Sequence, residues 1–166
     1  MTLSRKAIRP AQTQHLLANG FLPVSIDYRL CPEVSLVDGP MTDVYDAYQW
    51  ARTTLPRIVT RYGLIVDSNK VVIVGWSTGG QLAMSIGWKA KMTGIPLPTA
   101  VLSFYAPVDF ESGGMLPEIC QTEASSNIAL VIELHSKLPS WLPSRNMSTQ
   151  HIISNLPRTP VSPSFH

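Results

Sequence analysis

The chain has 166 residues, 45% of them hydrophobic and 14% charged, with a formal net charge of +2. That suits one globular domain with enough apolar side chain for a sizeable core, while scattered Lys and Arg residues form no basic face for nucleic acid. The strongest apolar runs, residues 71–74 and 128–134, fall far short of the roughly 20 residues a membrane span requires, and the Met-Thr-Leu-Ser-Arg-Lys start lacks the apolar stretch of a secretory signal.

Two cysteines, Cys31 and Cys120, lack CxxC spacing and read as reduced thiols of a cytoplasmic protein rather than a disulfide. Two thiols and four dispersed histidines suggest no metal site. Neither G-x-G-x-x-G nor a G-K-[ST] phosphate loop occurs, so no cofactor is expected.

In chain order, residues 10–19 read as a short helix, with Pro10 at its start and Asn19-Gly20 as a left-handed stop. Residues 21–28 read as a buried strand around Val24 and Ile26. From Pro40 to about Leu55, the positions Val44, Ala47, Tyr48, Ala51 and Leu55 recur at helical spacing. Asp67-Ser68-Asn69 predicts a turn before the β-branched run Val71-Val72-Ile73-Val74, a strand covered on both faces. A helix over residues 78–90 follows, with Leu82, Ala83 and Ile86 toward the sheet. Residues 94–98 break it, and residues 100–105 make the next strand. Alternating strands and helices predict an α/β fold with a mostly parallel sheet and flanking helices.

From Ser112 onward the alternation fails. Only residues 129–134 are strongly hydrophobic, and residues 138–166 are rich in Pro, Ser and Asn. Such a composition seldom buries enough surface to offset the entropy of ordering. The expected division is a core over residues 1–112 and an irregular, loosely ordered tail over residues 113–166.

Gly75-Trp76-Ser77-Thr78-Gly79-Gly80 follows the predicted strand and opens the next helix, the context required of a G-x-S-x-G nucleophile elbow. The flanking positions call for glycine because side chains there would collide with strand or helix. The turn would lift the Ser77 hydroxyl above the carboxyl edge of the sheet, with the backbone N–H of Thr78, and Gly79 beside it, forming the oxyanion donors. Asp27, Arg29 and Glu33, in Asp27-Tyr28-Arg29-Leu30-Cys31-Pro32-Glu33, read as a structural ion-pair network rather than catalytic groups. Asp109, at the same edge of the sheet, is the candidate acid, although capping a turn is the commoner fate of such an aspartate.

These two stretches resemble the DYRLAPE and G-D-S-A-G-G signatures of the hormone-sensitive-lipase-like esterases, the α/β-hydrolase fold-3 family, with Trp76 replacing the usual acidic residue. A closer resemblance is to the C-terminal release domain of methylating non-reducing polyketide synthases of fungi. It is carried by Ser4-Arg5-Lys6 to Asn19-Gly20, Gly39-Pro40-Met41-Thr42-Asp43, Val74 to Gly80 and Leu102-Ser103-Phe104-Tyr105. The resemblance covers residues 4–112. It implies a serine hydrolase in which Ser77 attacks an ester or thioester carbonyl and an acyl-enzyme is released. The substrate implied is a small-molecule ester or a carrier-protein-bound aromatic polyketide thioester.

Two departures from that pattern qualify the expectation. The family's His-Gly-Gly oxyanion segment precedes the region matching Ser4, and no such residues occur here. The family's later acid and histidine patterns are absent from residues 112–166, leaving His135 and His151 as the base candidates. His15 reads as a surface residue and His166 is the terminus. The chain therefore reads as a fragment truncated at both ends, with little activity alone. The alternative reading is a non-catalytic α/β-hydrolase-like binding module or a truncated gene product. Oligomeric state is not legible in the sequence.

Overall fold

The computed structural model of the chain describes residues 10–108 and 128–135. Helix α1 (Pro10–Ala18) leads into strand β1 (Phe21–Ile26) through Gly20, whose positive φ of 79° makes the turn. After a loop and a π-helical turn at Val37–Met41 come helices α2 (Thr42–Thr53) and α3 (Leu55–Thr60). Strand β2 (Val66–Trp76), helix α4 (Thr78–Thr93) and strand β3 (Ala100–Phe104) form the parallel crossover read from the sequence. Gly94, at φ 71°, closes α4 in the left-handed conformation.

The four-stranded sheet has the order β1-β4-β2-β3, and its second member, β4 (Ile128–Leu134), comes from the part of the chain expected to be an irregular tail. It runs antiparallel to both neighbours, with Val24 opposite Leu130 on one side and Ile73 opposite Leu130 on the other. The fold is α/β with a mixed open sheet. β1, β2 and β3 point the same way, yet two of the three hydrogen-bonded ladders are antiparallel because β4 lies between β1 and β2. The sequence reading of residues 113–166 as one irregular tail is thereby corrected for Ile128–Leu134, which forms a largely buried strand inside the sheet.

The register explains the core. Val71, Ile73 and Gly75 lie opposite Ile132, Leu130 and Ile128, and strand alternation turns all six toward one face of the sheet. Val71, Ile73, Ile128, Leu130 and Ile132 are fully buried there, as are Val44, Tyr48 and Ala51 of α2 and Ala83 and Ile86 of α4. Tyr48 keeps its hydroxyl satisfied by donating to the Pro96 carbonyl at 2.8 Å.

The Asp67-Ser68-Asn69 turn and the strand coexist. Asn69 N–H donates to the Asp67 side chain at 2.9 Å, a local turn held inside the strand as a bulge. Across it, Val66 to Val71 on β2 matches only Leu134 to Ile132 on β4.

Because β4 is paired on both edges, its core side chains hold three strands together. Leu130→Ala is expected to cost about 2–5 kcal/mol, the usual range for deleting a buried leucine side chain. Urea unfolding of the variant measures this; a loss below about 1 kcal/mol would mean that β4 is not part of the core.

Candidate active site

β2 and α4 meet at Ser77, and the meeting depends on missing side chains. A Cβ on Gly75 would lie 2.1 Å from the Gly79 carbonyl oxygen and 2.7 Å from the Gly80 nitrogen, so strand and helix backbones are in direct contact. A Cβ on Gly80 would lie 2.7 Å from Ser103 Oγ on β3 and 3.0 Å from Ala106 Cβ. The strand therefore reverses into the helix within a single residue, and that residue is Ser77, at φ 55° and ψ −128°. A non-glycine residue in this region is strained, and strain of this kind collects at functional positions.

A serine at the start of a helix usually spends its hydroxyl capping a backbone N–H. Ser77 makes no such bond; its backbone carbonyl instead accepts from Gly80 at 2.8 Å and Gln81 at 3.3 Å. Its own N–H donates to the Phe104 carbonyl at 3.0 Å, tying the turn to the end of β3. Thr78 and Gly79 are the first residues of a 16-residue helix, where N–H groups have no intrahelical acceptor and the helix dipole favours negative charge. A half-buried serine, uncommitted N–H donors and a positive helix end thus converge at the carboxyl edge of β2.

The other candidates fare differently. His135 follows β4 at the opposite end of the sheet, where its N–H donates to the Ile65 carbonyl at 2.8 Å and its Nε2 lies 3.2 Å from Asp67 Oδ2. The 11 residues of β2 separate it from Ser77, a distance on the order of 30 Å at strand rise. His135 as a base for Ser77 is therefore corrected: the antiparallel direction of β4 carries it away from the elbow. His15 is exposed on α1, as expected. Asp109, His151 and Cys120 lie outside the described residues. Among the described residues no group of three or more His, Cys, Asp or Glu could hold a metal ion, and no helix is long and apolar enough to cross a membrane.

The loop after β1 is braced by a partner that the sequence reading missed. Arg29 donates through Nε and Nη2 to both carboxylate oxygens of Asp43, at 2.7–3.1 Å, and its backbone N–H adds a further bond at 2.8 Å. Its Nη2 also donates to the Asp38 carbonyl at 2.9 Å. The structural role expected for Arg29 is thus a fork clamped on the first turn of α2, where the carboxylate also complements the helix dipole. Hydrogen bonding from the Arg29 side chain holds the Asp43 carboxyl below its usual range, against a desolvation effect that raises it.

Trp76 stacks on Phe104, ring centroids 5.7 Å apart and planes 12° from parallel, on the sheet face away from α4. The residue that departs from the G-D-S-A-G-G signature is thus packed against the end of β3. Sequence reasoning also missed Tyr105, which has a positive φ of 42° immediately beside the elbow. The sequence reading placed Tyr105 as the last residue of the strand over residues 100–105, whereas β3 ends at Phe104.

A strand–serine–helix turn on an α/β sheet defines the class, and comparison with known proteins agrees. A family model described as alpha/beta hydrolase fold matches residues 13–154, and the chain belongs to that family. The chain is 52% identical over 162 residues, 98% of its length, to the non-reducing polyketide synthase Preu6 of Preussia isomera. It is 59% identical over 112 residues, 68% of its length, to the non-reducing polyketide synthase atr1 of Stereocaulon alpinum. It is 61% identical over 110 residues, 66% of its length, to the non-reducing polyketide synthase mapC' of Penicillium brevicompactum. The matched regions span only 6%, 4% and 5% of those relatives. No solved structure matches.

The close approach at Gly75 and the Arg29–Asp43 fork can each be tested by substitution. Gly75→Ala forces backbone against backbone, so it is expected to lower stability by about 1–3 kcal/mol or more; a variant with an unchanged urea midpoint would contradict the close approach. For Asp43, a folded-state pKa below the unfolded value means stability that is present above the ordinary carboxylate value near 3.9 and is lost as pH falls from there through the lower folded-state value. Asp43→Asn should lower the thermal midpoint at pH 7 and flatten its fall between pH 5 and 3, compared with wild type. Identical curves for the two proteins would show that the fork contributes nothing to stability.

Proposed function

We propose that the chain is a serine acyl-transfer unit of the esterase or thioesterase type, in which Ser77 takes the acyl group. The observation that carries this reading is the strained, non-capping conformation of Ser77 at the N-terminus of α4. Attack forms the Oγ–carbonyl carbon bond and breaks the bond from that carbon to the leaving oxygen or sulfur. The hydroxyl proton ends on the leaving alcohol or thiol, and water then releases the acid. The Thr78 N–H, with Gly79 beside it, stabilises the oxyanion in both steps. Similarity to polyketide synthases favours a carrier-bound polyketide thioester as the substrate and release of the finished chain as the role, in a reduced, cytoplasmic setting.

Turnover by the 166-residue chain is expected to be slow. Among the described residues no histidine lies beside Ser77, and an unassisted serine hydroxyl is a weak nucleophile. Asp109 remains the proposed acid and His151 the remaining base candidate. The position of His135 at the far edge also gives weight to a second reading, a binding module that holds the acyl group without turning it over.

The test is to assay residues 1–166 with p-nitrophenyl acetate and a simple acyl thioester beside Ser77→Ala. Ser77-dependent acylation is expected, with deacylation at least about 100-fold slower than in a serine esterase that has its base and both oxyanion donors in place. Equal signals from wild type and Ser77→Ala would sink the nucleophile, and thioester binding in both would favour the binding module. Fast Ser77-dependent turnover would show that a base does reach the serine.

A further inference from the structure

Among the described residues only two non-glycine residues have positive φ, Ser77 at 55° and Tyr105 at 42°, and they are neighbours. The carbonyl of the Phe104–Tyr105 peptide accepts the Ser77 N–H at 3.0 Å, one residue beyond the point where Trp76 and Phe104 are in register. Both strands thus end at the same level, each on a strained residue. Beyond Tyr105 the chain folds back over the start of α4, where Ala106 Cβ lies 3.0 Å from the place a Gly80 side chain would occupy.

The turn itself needs only a residue at ease with positive φ, and glycine or asparagine would meet that need at lower cost. The chain instead places a tyrosine there, and Tyr105 is 78% exposed, so burial of its ring does not repay the strain. Val108, three residues on, is 68% exposed. A strained, exposed aromatic thus sits beside the serine turn, its backbone tied to Ser77 through the Phe104 carbonyl.

We infer that Tyr105 is a specificity-determining residue whose ring favours aromatic over small aliphatic acyl groups at Ser77. The physical basis is ring stacking: a flat aryl group gains contact with the tyrosine face that an acetyl group is too small to make. The inference deepens the acyl-transfer reading and rests on it.

The experiment compares acylation of residues 1–166 by p-nitrophenyl benzoate and p-nitrophenyl acetate, read as p-nitrophenolate released and as added mass, with Ser77→Ala as blank. In this reaction the Ser77 Oγ–acyl bond forms, the acyl–nitrophenolate bond breaks and the hydroxyl proton passes to buffer. Tyr105→Ala is expected to lower the benzoyl-to-acetyl ratio about two- to tenfold, the scale of one aromatic contact. Tyr105→Phe should retain the ratio, because the ring and not the hydroxyl carries the preference. Tyr105→Gly suits the positive φ and should raise or hold the thermal midpoint while lowering the ratio as much as alanine does; it also keeps the test decisive if the alanine variant folds poorly.

A ratio that stays at the wild-type value in Tyr105→Gly would overturn the inference and leave Tyr105 a turn residue. Loss of the ratio in Tyr105→Phe would equally contradict the stacking basis. Absence of Ser77-dependent acylation with both esters would fail the acyl-transfer reading itself, and this inference with it, an outcome distinct from an unchanged ratio.

Discussion

Contact between the backbones of β2 and α4 is the constraint on which the rest depends. With hydrogen at Gly75, the strand passes within van der Waals reach of the Gly79 carbonyl, and a Cβ there would lie 2.1 Å from that oxygen. The reversal that follows leaves one residue to absorb all the dihedral change, and Ser77 absorbs it in a conformation that also withdraws its hydroxyl from capping duty. Helix end, serine and the end of β3 are therefore positioned by one packing event. The bond from Ser77 N–H to the Phe104 carbonyl locks the third strand to the same point.

That arrangement needs a rigid sheet beneath it, and β4 supplies the rigidity from a distant part of the chain. Its residues Ile128, Leu130 and Ile132 are fully buried opposite Gly75, Ile73 and Val71, so the strand that carries the elbow is packed along its whole inner face. At the far end, Lys70 and Glu133 pair at 2.9 Å and His135 meets Asp67 at 3.2 Å, contacts that fasten β4 to the start of β2. These exposed pairs contribute little individually; they mark the register rather than sustain it. The Arg29–Asp43 fork, bidentate and reinforced by the Arg29 backbone N–H, ties the loop after β1 to the first turn of α2.

Local chemistry was legible in the sequence, and long-range pairing was not. The β-branched run before Gly75, the helix after Thr78 and the glycine stops at Gly20 and Gly94 each rest on neighbouring residues, and each lies where the pattern put it. Val44, Tyr48, Ala51 and Leu55 face the core as their spacing implied, whereas Ala47 is only half-buried. The insertion of β4 between β1 and β2 has no local signal, because an apolar run of seven residues suits an edge strand, a central strand or a short helix equally well. His135 was misassigned for the same reason: its distance from Ser77 depends on strand direction. The Asp43 partner of Arg29, 14 residues away, and the strain at Tyr105 likewise belong to tertiary geometry.

The proposed role of Ser77 requires that the elbow make its hydroxyl more reactive toward acyl-type electrophiles than the other serines of the chain. Labelling of the 166-residue chain with a fluorophosphonate, followed by peptide mapping, tests it most directly. In that reaction Ser77 Oγ bonds to phosphorus, fluoride leaves and the hydroxyl proton passes to buffer. A single adduct on Ser77 is expected, lost on unfolding the chain in urea before labelling. No adduct on the folded chain, or labelling spread over other serines at the same rate as Ser77, would contradict the claim.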